Sequence, residues 1–165
     1  MQLPPDLVAM LSAFERLEVR YLIIGGHAVG LHARPRSTKD LDVWLDSARA
    51  NIARACAALA EFGVPTRIID DLRTAAPDEI VWLGRAPARV DLLQTIPGAS
   101  FGIAWERRVD LELGTLVVHV IGRQDLLANK RAVGRPQDLR DVRAIERAAS
   151  PAKPPARRGA RRRKR

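Results

Sequence analysis

The spacing of apolar residues predicts a helix and then a buried strand at the start of the chain. From Leu7 to Leu17 the apolar residues recur at helical spacing, so they share one face of a helix. Residues 21–24 form a short apolar run of the kind that buried strands show, and Gly25-Gly26 ends it. The chain is therefore expected to begin with a helix, a strand and a glycine turn.

Strands alternate with helices along the rest of the chain, and a hairpin comes late. We expect further strands at 40–45, 66–69, 79–83, 89–95, 109–113 and 116–121. We expect further helices at 27–33, around Trp105, at 123–133 and at 136–149. Another helix is expected to begin at a cap formed by Asp46 or Ser47 and to end at Gly63. This order predicts an α/β (α+β) fold, in which a mixed β-sheet is flanked by helices.

Two carboxylates share one face of the strand predicted at 40–45. Alternate residues of a strand point to the same side, so Asp40 and Asp42 lie next to each other while Leu41 and Val43 face the other way. Neighbouring carboxylates repel each other unless a cation lies between them. The pair therefore indicates a site for a hard divalent metal, and the alternative is a solvated polar face at the sheet edge.

Asp91 is a second acidic candidate, because it stands alone inside an apolar strand. A carboxylate there is unfavourable unless it is paired or binds a metal. On a strand beside Asp40 and Asp42 it would complete a set of three carboxylates. Such a set can hold two Mg²⁺ ions that activate an attacking hydroxyl and stabilise leaving pyrophosphate, with Asp91 as general base. The alternative is a strand-end cap or a surface acid paired with Arg89.

The residues before the acidic pair suit phosphate binding. The backbone N–H groups of Gly25-Gly26 can hold phosphate oxygens, and Arg36, Thr38 and Lys39 lead into the carboxylates. Phosphate chemistry needs these three parts: N–H groups for the phosphate, cations for its charge and carboxylates for Mg²⁺. The stretch is therefore a candidate nucleotide site.

Two sequence motifs carry a resemblance to a known family. The first is GGHAxxxHARPRSTKDLD at 25–42, and the second is DLLANKRAVGRPQDLRDV at 125–142. Together they resemble the signatures of the nucleotidyltransferase superfamily with the DNA polymerase β-like fold. The second is similar to its AbiEii-related branch of uncharacterised bacterial nucleotidyltransferases, in which a K-x(4)-R-x-x-D-x-x-D pattern is common. The resemblance covers roughly residues 7–147.

The resemblance implies metal-dependent transfer of a nucleoside monophosphate from a nucleoside triphosphate (NTP) to a hydroxyl. By motif position, the metal ligands and catalytic residues would be Asp40, Asp42 and Asp91, and the nucleotide would be bound by Gly25, Gly26, Arg36, Thr38, Lys130 and Asp138. The implied cofactor is Mg²⁺, in a two-metal site. The chain departs from many relatives at Gly26, where a serine is common, and at Ala33, where a glycine is common.

The second motif has two interpretations. On a helix, Asp138 and Asp141 share a face, and Lys130 lies on the preceding helix. These residues either border the nucleotide or form a salt-bridge cluster, for example with Arg135, that fixes the helix hairpin. We favour the cluster for Asp141 and leave Lys130 and Asp138 open. Packing roles are expected for the two histidines beside the glycine turn. Core positions, rather than a base-stacking platform, are expected for Trp44, Trp82 and Trp105.

Charge divides the 165 residues into a domain at 1–149 and a basic tail at 150–165. Eight of the 28 basic residues lie in the tail with no acid, which leaves 20 basic against 19 acidic residues in the domain. The tail has no apolar periodicity, so we expect it to be disordered. It either attracts nucleic acid by releasing phosphate counterions or serves only solubility.

Composition narrows the setting in which the chain works. No apolar run approaches the roughly 20 residues that cross a bilayer, so we expect no membrane partner. The single cysteine, Cys56, fits a reducing cytoplasm and a buried apolar role.

Three functions follow from this sequence. The first is a Mg²⁺-dependent nucleotidyltransferase, for which the toxin of a toxin–antitoxin pair acting on tRNA or protein, with an antitoxin partner, is one form. The second modifies a small hydroxylated molecule such as an antibiotic. The third is a non-catalytic domain that binds a nucleotide or a partner protein, as an antitoxin or regulator does. The presence of all three carboxylates favours an enzyme, and the acceptor stays open among RNA, protein and small molecule.

Overall fold

The computed structural model describes residues 3–35, 38, 40–85 and 89–149. Within these residues the chain forms seven helices and six strands. The helices are α1 (Pro5–Arg16), α2 (Gly25–His32), α3 (Arg49–Glu61), α4 (Thr66–Thr74), α5 (Phe101–Glu106), α6 (Arg123–Val133) and α7 (Pro136–Ala149). The strands are β1 (Tyr21–Ile23), β2 (Asp40–Leu45), β3 (Val81–Leu83), β4 (Arg89–Leu93), β5 (Val109–Leu113) and β6 (Leu116–Val120). The predicted tail at 150–165 lies outside the described residues.

The six strands form one mixed sheet in the order β3-β4-β2-β1-β6-β5. The pairs β1–β2, β3–β4 and β5–β6 are antiparallel, while β1–β6 and β2–β4 are parallel. The predicted mixed sheet flanked by helices is therefore confirmed. The parallel pair β2–β4 near the middle of the sheet matters most for function, because it joins the two strands on which candidate carboxylates were predicted.

One face of β2 belongs to the hydrophobic core, and the other carries the polar residues. Leu41, Val43 and Leu45 are fully buried, whereas Asp40 and Asp42 are only partly buried. Helix α1 adds buried apolar side chains to the same core. The predicted alternation along β2 is confirmed, and burial of its apolar face fixes the register that presents both carboxylates on the other side.

The predicted strand at 66–69 is wrong, because this segment is the start of helix α4. Pro65 caps the helix, where the absence of a proline N–H costs nothing. Ile69 and Leu72 lie three residues apart and are both buried, so the apolar pattern has a helical period over the longer stretch. The β-branched pair Ile68-Ile69 favoured a strand only when it was taken alone.

Two helix starts also differ from expectation. Helix α2 begins at Gly25 itself, so the glycines form its first turn rather than a break before it. Helix α3 begins at Arg49 after Ala48, and no side chain caps it. The Asp46 carboxylate instead accepts a hydrogen bond from the Ala48 N–H at 3.0 Å, one residue before the helix.

The tryptophans divide between the core and the surface. Trp44 is buried and its indole N–H donates to the Gln94 carbonyl at 3.1 Å, and half-buried Trp105 stacks on Phe101. Trp82 is 63% exposed, so the prediction of a core position is wrong for this residue. Its strand β3 lies at the edge of the sheet. Cys56 is buried, as predicted.

None of the helices in the described part of the chain has both the length and the apolar character needed to cross a membrane.

Candidate functional site

The pairing of β2 with β4 brings the predicted carboxylates together. Asp42 lies directly beside Asp91 in the register of the two parallel strands, and Asp40 lies beside Arg89. Neighbouring residues in register point to the same face of a sheet, so three carboxylates and one guanidinium form a single polar cluster. Asp91, which is 8% exposed, therefore stands next to the pair at 40 and 42, as its apolar strand context indicated.

Arg89 is the counter-ion of this cluster. Its Nε donates to Asp91 Oδ1 at 2.8 Å, and its Nη2 donates to Asp40 Oδ2 at 2.9 Å and to Asp91 Oδ2 at 3.2 Å. The hydrogen bond to Asp91 is the largest cause that raises the pKa of Arg89. The predicted alternative, an ion pair of Asp91 with Arg89, is thus present together with the carboxylate cluster.

Asp42 lies against the glycine turn. Gly25 has a left-handed backbone (φ +60°), and a Cβ atom at this position would clash with Asp42 Oδ2. Glycine at this position therefore serves both the backbone conformation and the close approach of the carboxylate. Burial, followed by the negative charge of Asp91, raises the pKa of Asp42, whereas the charge of Lys130 and the backbone N–H of Gly26 act in the opposite direction.

A cavity of about 850 Å³ opens over these residues, a size suited to a nucleotide. The sheet supplies Asp40, Asp42, Arg89 and Asp91, and the glycine turn supplies Gly25 and Gly26. Helices α6 and α7 and the turn between them supply Asn129, Lys130, Val133, Arg135, Gln137 and Asp138 on another wall, and Thr38 also lines the cavity. All the described nucleotide-site candidates therefore border one space. Arg36 lies outside the described residues.

The second motif forms a buried salt-bridge network between α6 and α7. Lys130 Nζ is 2.8 Å from Asp138 Oδ1 and 3.2 Å from Asp141 Oδ2, and Arg135 Nε donates to Asp138 Oδ2 at 2.7 Å. Burial alone would raise the pKa of Asp138, but the hydrogen bonds from Arg135 and Lys130 outweigh it and lower that pKa. Lys130 and Asp138 also line the cavity, so the two interpretations of the motif are compatible for these residues.

Two interactions that hold helices α6 and α2 in place had little signal in the sequence. Asn129 is buried, and its amide donates to the Pro97 carbonyl at 2.9 Å, which ties α6 to the loop after β4. Only its place beside Lys130 in the second motif could have drawn attention to it. His32 Nε2 lies 2.7 Å from the Ile121 carbonyl, a contact that joins α2 to the end of β6 and suits the predicted packing role.

The donor set of the cluster suits a hard cation. Carboxylate oxygens are the ligands that Mg²⁺ prefers, and Asp40 Oδ1 is a buried oxygen without a hydrogen-bond partner. In the described ranges, no three His, Cys, Asp or Glu side chains are positioned to hold one ion together. The carboxylates of Asp40 and Asp91 are turned toward the guanidinium of Arg89.

Comparison with known proteins agrees with this geometry. A sequence model of the family described as "Nucleotidyltransferase of unknown function (DUF6036)" matches residues 6–148. The chain belongs to this family. The matched range of the DUF6036 nucleotidyltransferase family contains every candidate residue of the site, from Gly25 to Asp141.

The fold of this DUF6036 member is also found in a solved structure. The crystal structure of an antigenic nucleotidyltransferase-like protein from Paracoccidioides brasiliensis aligns with 90% of this chain and 78% of that chain, with a TM-score of 0.51 and 16% sequence identity. At that identity the likeness shows the fold, which is the predicted nucleotidyltransferase fold. No match was found among curated proteins.

Proposed function

We propose that this chain is a metal-dependent nucleotidyltransferase that moves a nucleoside monophosphate from an NTP to a hydroxyl acceptor. The observation that carries the proposal is the register of β2 and β4, which sets Asp42 beside Asp91 and Asp40 in the same cluster at the wall of the cavity. Membership of a nucleotidyltransferase family supports the same reaction class.

The cavity offers positive groups to a triphosphate. Lys130 and Arg135 line it on the helical side, and the first turn of α2 presents the N–H groups of Gly25 and Gly26 at the positive end of a helix. Thr38 and Arg36 are proposed to add contacts to the phosphates. Lys130 would reach a phosphate only by exchanging part of its ion pair with Asp138 and Asp141, since phosphate is a competing anion.

The carboxylates are proposed to hold two Mg²⁺ ions and to accept a proton. Bound by Asp40, Asp42 and Asp91, Mg²⁺ would supply charge stabilisation for the phosphates and polarise the attacking hydroxyl. The hydroxyl oxygen forms a bond to the α-phosphorus while the bond to pyrophosphate breaks. The hydroxyl proton passes to a carboxylate oxygen of Asp91, and pyrophosphate carries away the negative charge of the broken bond.

The finer assignment is to the AbiEii-related branch, as a toxin that modifies tRNA or protein and has an antitoxin partner. Its support is the motif that runs from Lys130 to Asp141, whose charged side chains form one network. A small hydroxylated acceptor such as an antibiotic would use the same cavity. The alternative class, a nucleotide- or partner-binding domain without catalysis, is supported by the ion pairs that the Arg89 guanidinium forms with two of the carboxylates.

Label transfer from the NTP separates these functions. The protein is incubated with Mg²⁺, NTPs labelled at the α-phosphate, and total tRNA, cell lysate or small alcohols. We expect transfer by the native chain, abolished in Asp42→Asn and Asp91→Asn, because each removes a carboxylate charge from the cluster. Asp70→Asn on α4 is the control, since its carboxylate is exposed and pairs only with Arg73 among the described residues. Tight NTP binding with no transfer to any acceptor would show a binding domain instead.

A further inference from the structure

Trp82 lies on the same face of the sheet as the carboxylate cluster. It is the direct antiparallel partner of Asp91, which in turn lies beside Asp42. Direct cross-strand partners share a face, so the indole projects beside the carboxylates rather than into the core. The neighbouring residue Val81 is buried on the other face with Leu92. Trp82, Asp91 and Asp42 therefore lie side by side on one face of the three neighbouring strands β3, β4 and β2.

The indole stands outside the cavity that is proposed to hold the NTP. Ile80 and Asp91 line that cavity, but Trp82 does not. Its strand β3 is the edge of the sheet, and the ring is 63% exposed. Adjacent strands are about 4.8 Å apart, so a flat group resting on the indole would lie one strand from Asp91. An NTP in the cavity would leave this position open to a second substrate.

We propose that Trp82 is a stacking platform for a nucleobase of the acceptor, and that the acceptor is the single-stranded end of an RNA. The inference rests on the proposed nucleotidyl transfer and names its second substrate. An exposed indole face binds any base by stacking, which needs no particular sequence. Arg85 follows β3 and is exposed, so positive charge is available for the phosphodiester backbone.

The size of the apolar surface favours a base over a protein partner. Five large apolar residues are exposed in the described part of the chain: Phe62, Ile80, Trp82, Ile103 and Leu139. They come from four separate segments, and only Ile80 belongs to the segment of Trp82. A stable protein interface needs a contiguous patch of several hundred Å², whereas one ring suffices for one base. The eight basic residues after Pro151 add charge complementarity to RNA.

Equilibrium binding of RNA in the absence of NTP tests the platform directly. The probe is a labelled single-stranded RNA of mixed sequence, about 12 nucleotides long, which is within the usual range of single-strand site sizes. We expect Trp82→Ala in the full-length chain to weaken binding by about 10-fold, the usual effect of removing one aromatic ring from beneath a base, and Trp82→Phe to recover most of the affinity. Ile103→Ala is the matched control, because it also removes an exposed apolar side chain. The ratio of RNA affinities between the native chain and Trp82→Ala should be the same at raised salt, where the contribution of charged residues to binding declines.

The outcomes separate this inference from the proposed reaction. Equal RNA affinity of the native chain and Trp82→Ala overturns the platform, even if nucleotidyl transfer occurs. Trp82-dependent RNA binding without any label transfer keeps the platform and overturns the reaction. Loss of dimer mass in light scattering on Trp82→Ala, with RNA affinity unchanged, shows instead that the ring is covered by a second copy of the chain.

Discussion

At the scale of single residues, Arg89 places a cation of the protein where a metal is proposed to bind. Its guanidinium forms ion pairs with Asp40 and Asp91, so an incoming divalent ion has to displace it. We predict that Arg89→Gln binds Mn²⁺ several-fold more tightly than the native chain, because the ion no longer competes with a resident charge. Titration followed by electron paramagnetic resonance or calorimetry, without nucleotide, measures this affinity.

Arg85→Gln controls for the change of net charge, since Arg85 is exposed and makes no ion pair within the described residues. Weaker Mn²⁺ binding by Arg89→Gln than by this control would show that Arg89 holds the carboxylates in position for the metal and does not compete with it.

The close approach of Asp42 to Gly25 predicts that even a methyl side chain at position 25 disturbs the site. Gly25→Ala places Cβ against the Asp42 carboxylate. It also lowers the free energy of unfolding by about 1–2 kcal/mol, because alanine is strained in a left-handed backbone. Gly114→Ala has nearly the same φ, +65°, but nothing within 4 Å of its Cβ. We expect both variants to lose that backbone contribution in chemical denaturation, and only Gly25→Ala to lose NTP binding as well. Equal NTP affinity in the two variants would mean that the position of Asp42 is not critical.

The identity of the acidic residues was predictable because strand alternation and burial act locally. Asp40 and Asp42 share a face in any strand of that sequence, and an isolated Asp91 among apolar residues needs a partner. The position of Trp82 was not predictable in the same way. An aromatic residue between Val81 and Leu83 suits a buried strand as well as an exposed one. Only the order of strands shows that β3 lies at the edge of the sheet.

At the scale of elements, the α6–α7 hairpin is held by a network in which the charges of Lys130, Asp138 and Asp141 are nearly inaccessible to water. Because the pKa of Asp138 is lowered in the folded state, its charge stabilises the fold above the ordinary aspartate pKa of about 3.9. That contribution is lost as the pH falls through the lower folded pKa. We predict that Asp138→Asn lowers the free energy of unfolding by about 1–3 kcal/mol at pH 7. The difference from the native chain should shrink below about pH 4.

The matched control is Asp70→Asn on α4. Asp70 also pairs with an arginine three residues away, but both side chains are more than half exposed. Exposed pairs contribute little, so we expect a change within about 0.5 kcal/mol at either pH. Denaturant unfolding at both pH values measures these differences. A similar loss of stability in the two variants would show that burial of the α6–α7 network adds nothing.

Most element boundaries followed from local signals, and the exception has a local cause. The bounds of β2, α6 and α7 match the predicted ranges, because glycine, proline and strict periodicity mark their ends. Helix α4 was mistaken for a strand because its first residues include two isoleucines, which suit either structure. A window that included Leu72 would have shown the helical period.

At the scale of the whole molecule, the charge is concentrated outside the fold. Replacing the eight basic residues after Pro151 by glutamine in the full chain should reduce the salt dependence of RNA binding. The slope of log affinity against log salt should fall by about 0.7 for each phosphate that the tail neutralises. The affinity ratio between this glutamine variant and the same variant carrying Trp82→Ala should equal the ratio in the native background. Binding measured over a series of salt concentrations gives the slope, and an unchanged slope would show that the tail serves solubility only.

The order of the strands and the shared cavity could not be predicted from the sequence. Local patterns indicate that a segment is a strand but not which strand lies beside it, since pairing depends on interactions between distant residues. Lys130 could therefore be assigned to a motif but not to a wall of the same space as Asp42. The structure supplies that link through helices α2 and α6, which contact each other.

The parallel pairing of β2 with β4 also has a consequence for synthesis. Parallel neighbours cannot be joined by a tight turn, and here α3, α4 and β3 separate them in the chain. A nascent chain released only as far as β3 would carry Asp40 and Asp42 without Arg89 or Asp91, so two like charges would stand side by side with no cation from the fold. Bringing β4 beside β2 closes the long loop between them, which costs more conformational entropy than forming a helix or hairpin from neighbouring residues. Pairing of β4 with β2 thus completes the carboxylate cluster and supplies its counter-ion, Arg89, in the same step.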